Sequence, residues 1–460
     1  MARSQPMKET NARRSHSAGL LPSVILLFWL PLAASWLLMA TEKLAVNAII
    51  ARMAEAKLQL AALGVAFSLA LAVESPIISL LTASNALARD RDSLRLLRRF
   101  MLGLNIALIT VMLLLGSMPL FERVVVQFLG TPPEIAVKVR PALWALTFWP
   151  AAIGYRRFHQ GVMIRLGYTR QISYGTAIRL LAAVGISAAG LAWGKLDGAT
   201  VGGLALGLSA AAEAAYIHHV SRPAMQKVKG TTPSAQKPSL NLRDLLRFYT
   251  PLTLTSAIML STAPLINFGL ARSPYPIESL AAWPVVSSQL FVVRSFGLSL
   301  QEVIVALLNG PAAMKMLRRF STMVGLGSQA LLLAIAFTPL APWWQQQIAG
   351  LDQELTAFAV AALQLAALLP ALTVVLNLLR GIVVTGRATG VIAQATVINL
   401  VALVAVLLAG ARLGWLPGAS LAAVALTISQ LAESAWLWRG ARLAQGQLWK
   451  QAQPQASQCQ

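Results

Sequence analysis

The sequence predicts an all-α polytopic membrane protein of about twelve transmembrane helices arranged as two parallel six-helix repeats. Three observations predict it: an apolar composition, apolar runs of spanning length, and an internal register that repeats without a gap. Of the 460 residues, 57% are hydrophobic and only 12% charged, about half the usual charged share of ~25%. Mean hydropathy is +0.66, so bilayer rather than water is the solvent this chain is built for.

Crossing ~30 Å of hydrocarbon takes about twenty helical residues. Runs of that length fall at 20–46, 58–87, 94–120, 136–164, 171–193 and 199–220 in the first half. In the second they fall at 245–270, 280–308, 320–340, 355–384, 390–411 and 416–438. They are expected to be helices, because lipid offers unpaired backbone groups no partner and the alternation of barrel strands is absent. The resulting organisation is a basic tail at 1–19, a six-helix lobe at 20–222, a polar linker at 223–240, a second lobe at 241–442 and a polar tail at 443–460. Arg13 and Arg14 precede the first apolar run and small residues follow it, as in a signal peptide. The same segment recurs in the second half, so retention is expected.

Sliding the sequence 220 positions along itself aligns Phe28 with Phe248, Pro31 with Pro251, Asn47 with Asn267 and Arg52 with Arg272. The same shift superposes 97–100 on 317–320, Pro150 on Pro370, Gly161 on Gly381, and Glu213 on Glu433. Coincident Pro, Asn, Arg and Glu are not explained by matching apolar letters. Six spans return the chain to its starting side, so the second copy enters in the same orientation and the repeats are parallel.

The formal charge of +22 suggests nucleic acid only if the basic residues share one face, but they lie in short clusters between apolar runs. Of the 38 Lys and Arg residues, 20 fall in the tails and even-numbered turns, 6 in the opposite turns and 12 inside the runs. Both termini are therefore expected in the cytosol, with the chain in the plasma or inner membrane. No nucleic-acid partner is expected. The clusters at 89–99 and 315–319 suit anionic headgroups.

Ionisable groups inside spans must repay about 2.5–3.5 kcal/mol on insertion scales, which makes them the functional candidates. At equivalent places on the second helices stand Glu74 and Arg294. On the fourth helices Arg157 matches Asn377 and Gln160 matches Arg380, each pair three residues apart and so on one helical face. Arg156 and His159 join them, and Arg179 on the fifth helix matches Asn399. An arginine fork suits carboxylate or phosphate and keeps its charge, so a cleft lined by these groups is expected to take a small anionic substrate. The competing reading pairs Glu74 with Arg294 across the lobes, lets Arg380 snorkel, and uses Arg156 as a helix cap.

Asn47, Asn267, Glu213, Glu302 and Glu433 are candidates for ion coupling or for structural hydrogen bonds between helices, with H+ or Na+ as the coupling ion. Pro76, Pro150, Pro251, Pro264, Pro284 and Pro370 fall inside expected spans and mark kinks or hinges. The lone cysteine, Cys459, rules out an intrachain disulfide and a Cys-based metal site. His218 and His219 lack metalloprotease spacing, so neither a metal nor a cofactor is expected. Walker, dinucleotide and hydrolase motifs are missing, which argues against an enzyme and against a nucleotide-driven pump.

The chain resembles the superfamily that joins multidrug and toxin extrusion (MATE) proteins with polysaccharide and lipid-linked oligosaccharide flippases. Within it the likeness is nearest to the progressive ankylosis family. It is carried by Pro251 with 264–267 and Arg272, by 159–161 with Arg165, and by 418–420 ahead of Glu433 and Ser434. The resemblance implies a V-shaped pair of bundles exporting small anions such as pyrophosphate, citrate or nucleotides by alternating access. The chain departs from that family in its Gln-rich basic end, 445–460, where an acidic tail is usual. Unlike ion-coupled MATE exporters, its first span has no acid before Glu42. A MATE-type drug exporter, a flippase, a major-facilitator carrier, and a membrane scaffold or membrane-embedded enzyme remain the alternatives.

Overall fold

The computed structural model describes residues 22–168, 170–232, 240–386 and 388–452. The basic tail 1–19, linker residues 233–239 and Cys459 lie outside the described residues. Within them the first half consists of α1 (Pro22–Ile50), α2 (Ala56–Leu87), α3 (Arg91–Gly116), α4 (Pro133–Ala145), α5 (Trp149–Arg165), α6 (Arg170–Trp193) and α7 (Gly198–Val220). A short helix, α8 (Arg222–Lys229), follows. The second half is α9 (Leu242–Ala271), α10 (Pro276–Leu298), α11 (Leu300–Leu307), α12 (Pro311–Ala336), α13 (Gln353–Leu365), α14 (Leu369–Thr385), α15 (Thr389–Leu413) and α16 (Gly418–Ala452).

Ten of the described helices are long and apolar enough to cross a membrane, and an eleventh span forms if α13 and α14, bent by 43°, are joined. The twelfth expected span corresponds to α4 and α5. Its counterpart register is intact, but Arg156, Arg157, His159 and Gln160 give it a polar stretch. Outward faces are apolar: Ile106, Leu181 and Val401 are 65%, 72% and 62% exposed, a surface suited to lipid.

The 220-residue register reappears in the backbone. The bounds of α3, α4 and α5 coincide residue for residue with those of α12, α13 and α14. Left-handed residues recur at Glu55 and Tyr275 (φ 52° and 55°) and at Gly130 and Gly350 (φ 72° and 78°). A π-helical turn at Glu122–Phe128 matches one at Trp344–Ile348. This congruence fits parallel repeats of one ancestral unit.

Three sequence expectations need correction. The runs 136–164 and 355–384 are not continuous helices; each breaks in the middle. Pro150 and Pro370 sit in the first turn after the break, where a missing N–H costs nothing, whereas Pro31, Pro76, Pro251, Pro264 and Pro284 lie inside helices. The polar stretch read as a flexible linker begins as α8, anchored by buried Ala224 and Val228. The polar end from 443 continues α16 as far as Ala452.

The halves meet through reciprocal bonds at three levels. Near the end of the bundle where the described chain starts, Trp29 Nε1 donates to the Phe296 carbonyl at 3.1 Å. The Tyr249 hydroxyl likewise donates to the Pro76 carbonyl at 2.5 Å. Deeper, Asn47 Nδ2 donates to the Pro284 carbonyl and Ser288 Oγ (2.9 and 3.4 Å), and Asn267 Nδ2 to the Gly64 carbonyl and Ser68 Oγ (3.3 and 2.8 Å). At the opposite end Arg52 caps the carbonyls of Gln347 and Ile348, while Arg272 caps those of Gln127, Phe128 and Leu129. Gly130 and Gly350 lie beneath those guanidiniums, where an added Cβ would come within 2.8 Å of a nitrogen. Apart from the additional Arg272 bond to Leu129, every member of each pair is the other shifted by 220, the pattern an isologous two-fold contact generates.

Candidate functional site

Each half carries one polar centre, built from equivalent positions on its first, second, fourth, fifth and sixth spans. The candidate residues thus fall into two groups, one in each half.

In the first half, Glu42 on α1, Glu74 on α2, Arg156 and Arg157 on α5, Arg179 on α6 and Glu213 on α7 converge. Arg156 Nη1 lies 2.6 Å from Glu213 Oε2. Arg179 grips Glu42 in a two-point contact, Nε to Oε1 and Nη2 to Oε2, both at 2.8 Å. Its third nitrogen stands 3.9 Å from Glu213, and Ser209 donates to Glu42 at 3.2 Å. Glu213 is fully buried, and Glu42 and Arg156 are 3% and 4% exposed. Three carboxylates face three guanidiniums, so the centre is neutral in sum. Two of the six stand apart from the pairing. Glu74, 5% exposed, has no hydrogen bond or ion pair among the described residues and feels chiefly the charge of Arg157. The Arg157 Nε is buried and without a hydrogen-bond partner.

The other fourth-span candidates of this half separate. Gln160 is buried at 4% exposure. His159 turns away, its Nδ1 2.8 Å from the Tyr155 carbonyl and its ring stacked 4.2 Å from that of Tyr155. Tyr155 also meets His218 at 2.5 Å. Glu302 is exposed on α11, beside Trp36, and belongs to neither centre. Asn47 and Asn267 bond across the halves as described above.

In the second half the same positions enclose a cavity of about 270 Å³. Arg294, Asn377, Arg380, Asn399, Gln430 and Glu433 line it. Arg380 Nη2 pairs with Glu433 Oε1, and Asn399 Nδ2 donates to Glu433 Oε2 at 3.0 Å. Arg294 Nε donates to Thr373 Oγ1 at 2.6 Å, and Asn377 Nδ2 donates to the Thr373 carbonyl at 2.8 Å. Arg294 forms no ion pair among the described residues. Two guanidiniums therefore face one carboxylate, and the cavity carries an excess positive charge.

Glu74 and Arg294 do not meet: each serves its own half, and Arg156 and Arg380 each engage the matched acid of their half. Glu42, Ser209 and Thr373 complete the centres and were missed as candidates. The signal for Glu42 is that it is the one acid of its span, at the position whose register partner is the polar Thr262, a residue that lines the cavity.

Neither a family model nor a curated protein sequence matches this chain. Solved structures do match. An inward-facing multidrug resistance MATE family transporter of the MOP superfamily aligns with TM-score 0.65 at 13% identity, over 89% of this chain and 96% of that one. Lipid II flippase MurJ in an inward closed conformation aligns with TM-score 0.66 at 11% identity, over 92% and 87%. A MOP superfamily transporter from Pyrococcus furiosus, described as having a binding pocket of reverse polarity that suggests a different function, aligns with TM-score 0.62 at 14% identity, over 93% and 96%. The chain thus has the fold these transporters share.

Proposed function

We propose that the protein is a secondary transporter that exports small organic or phosphate anions by alternating access, with the second-half cavity as the binding site. One observation carries this reading: Arg294 faces a cavity of about 270 Å³ with no carboxylate partner, next to Arg380 and the amides of Asn377 and Asn399. A partly buried guanidinium held within a span without a counter-charge is costly and is suited to an anion that supplies it. The volume lies just below the usual range for small-molecule sites, ~300–1,000 Å³, which favours a small anion over a lipid-linked sugar. The clusters of Lys and Arg in the turns on the side of the chain ends support a cytosolic position for that side.

In this reading the first-half centre, with Glu74 and Glu213, supplies coupling to H+ or Na+ or serves as structure. The resemblance to the progressive ankylosis family read from the sequence suggests pyrophosphate, citrate and nucleotides as first substrates to test. The swap of Glu74 for Arg294 between halves is a polarity inversion within one chain, which gives the Pyrococcus furiosus comparison its interest. The test is efflux and counterflow of those anions from proteoliposomes. Arg294→Ala and Arg380→Ala should each abolish the flux; flux unaffected by both would remove the cavity from the mechanism.

The second reading is a lipid-linked substrate, favoured by the likeness to MurJ. Appearance of a labelled lipid headgroup in the outer leaflet, without anion flux, would select it.

A further inference from the structure

The seam between the halves holds a cation that neither polar centre uses. Lys43 follows Glu42 on α1, and one residue of helix turns a side chain by about 100°. Glu42 therefore enters the first-half centre while Lys43 faces α2 and α10. Its Nζ lies 3.4 Å from Ser287 Oγ on α10 and 5.2 Å from the centre of the Phe67 ring on α2. Lys43 forms no ion pair among the described residues. A ring beneath an ammonium holds it in place without cancelling its charge. The register partner of Lys43 is Ala263, so this cation is not part of the packing that the two halves repeat. It stands one turn from Asn47, whose bonds to Pro284 and Ser288 tie α1 to α10. Lys43 as a residue is partly buried.

An uncompensated ammonium at this depth is expensive to keep, and a packing role is met as well by an apolar side chain. We infer that Lys43, positioned by Phe67 and with Ser287 as neighbouring hydroxyl, is an anion-contact site in the seam that receives the carboxylate or phosphate group of the transported anion on its way to or from the second-half cavity. This inference rests on the anion-transport reading above. It adds a second cation on the path, contributed by the half that lacks the cavity, and so gives the substrate a contact to each half.

The experiment measures saturation kinetics of pyrophosphate and citrate counterflow in proteoliposomes for the wild type, Lys43→Gln, Lys43→Met and Lys43→Arg, with Arg294→Ala alongside. Both neutral variants should raise KM about tenfold, equivalent to ~1.4 kcal/mol, with kcat little changed, and the arginine variant should restore it. A merely structural lysine would leave KM in place and lower thermal stability instead. Flux abolished by Arg294→Ala but unchanged KM in both neutral variants would overturn the Lys43 contact while keeping the anion reading. Absence of anion flux from the wild type would overturn both. Vesicles of phosphatidylcholine alone, and with added phosphatidylglycerol, separate the two sources of phosphate. A KM effect confined to the anionic vesicles would assign Lys43 to lipid headgroups and overturn its contact with the transported anion.

Discussion

The two polar centres are built on one scaffold and end in opposite states. Both use a sixth-span glutamate, Glu213 or Glu433, gripped by a fourth-span arginine. In the first half that arginine is Arg156, and Arg179 adds a two-point clasp on Glu42, so charge and space are both filled. In the second half, position 156 becomes Leu376, Arg179 becomes Asn399 and Glu42 becomes Thr262. The arginine reaches Glu433 from one turn later, as Arg380, and a cavity of about 270 Å³ remains. The difference teaches that the repeat sets where polar groups go, while a few substitutions decide whether the place is plugged or open.

The comparison breaks first at Arg294. Arg294→Glu, which copies the first-half residue, should cut anion flux more than 100-fold in kcat/KM with little loss of thermal stability, since Arg294 forgoes a single side-chain bond to Thr373. A variant that unfolds would instead mark Arg294 as structural.

The next largest effect separates the two glutamates. Glu213→Ala leaves Arg156, 5% exposed in its side chain, charged and alone, at a cost of about 3–5 kcal/mol. Glu433→Ala should cost less, about 1.5–3 kcal/mol, because Arg380 is 18% exposed beside a cavity that admits water. Chemical denaturation in detergent ranks them; a larger loss at Glu433 would reverse the assignment of plugged and open.

Smaller effects sharpen the two-fold relation. Arg52→Ala and Arg272→Ala each release carbonyls at the π-helical turn of the other half and should cost about 1.5–3 kcal/mol apiece. Asn47→Ala and Asn267→Ala should cost about 1 kcal/mol each. Within each pair, losses that differ by more than about 1 kcal/mol, measured by the same denaturation, would show that the reciprocal geometry is not energetically reciprocal.

Much of the scaffold was legible along the chain. The register from Phe28 and Phe248 onward anticipated helix bounds that coincide from α3 to α5 and from α12 to α14, because hydropathy and proline placement act locally. The mid-span breaks were less legible. Pro150 and Pro370 looked like kinks within a helix, whereas each starts a new helix, and apolar flanks hid the break. The linker helix α8 was missed because eight residues carry too little periodicity to register.

The partners of the ionisable residues were not legible. Arg156 and Glu213 are 57 positions apart and Arg179 and Glu42 are 137 apart, and nothing in the order of residues says which arginine takes which acid. What the sequence by itself determined is the helical membrane class, the two-copy plan and its register, since these follow from short-range pattern and duplicated spacing. Which charges cancel, which remain open to a ligand, and that Lys43 faces the seam were decided by the tertiary structure alone. Coulomb and hydrogen-bond energies turn on a few ångströms between helices that only packing brings together.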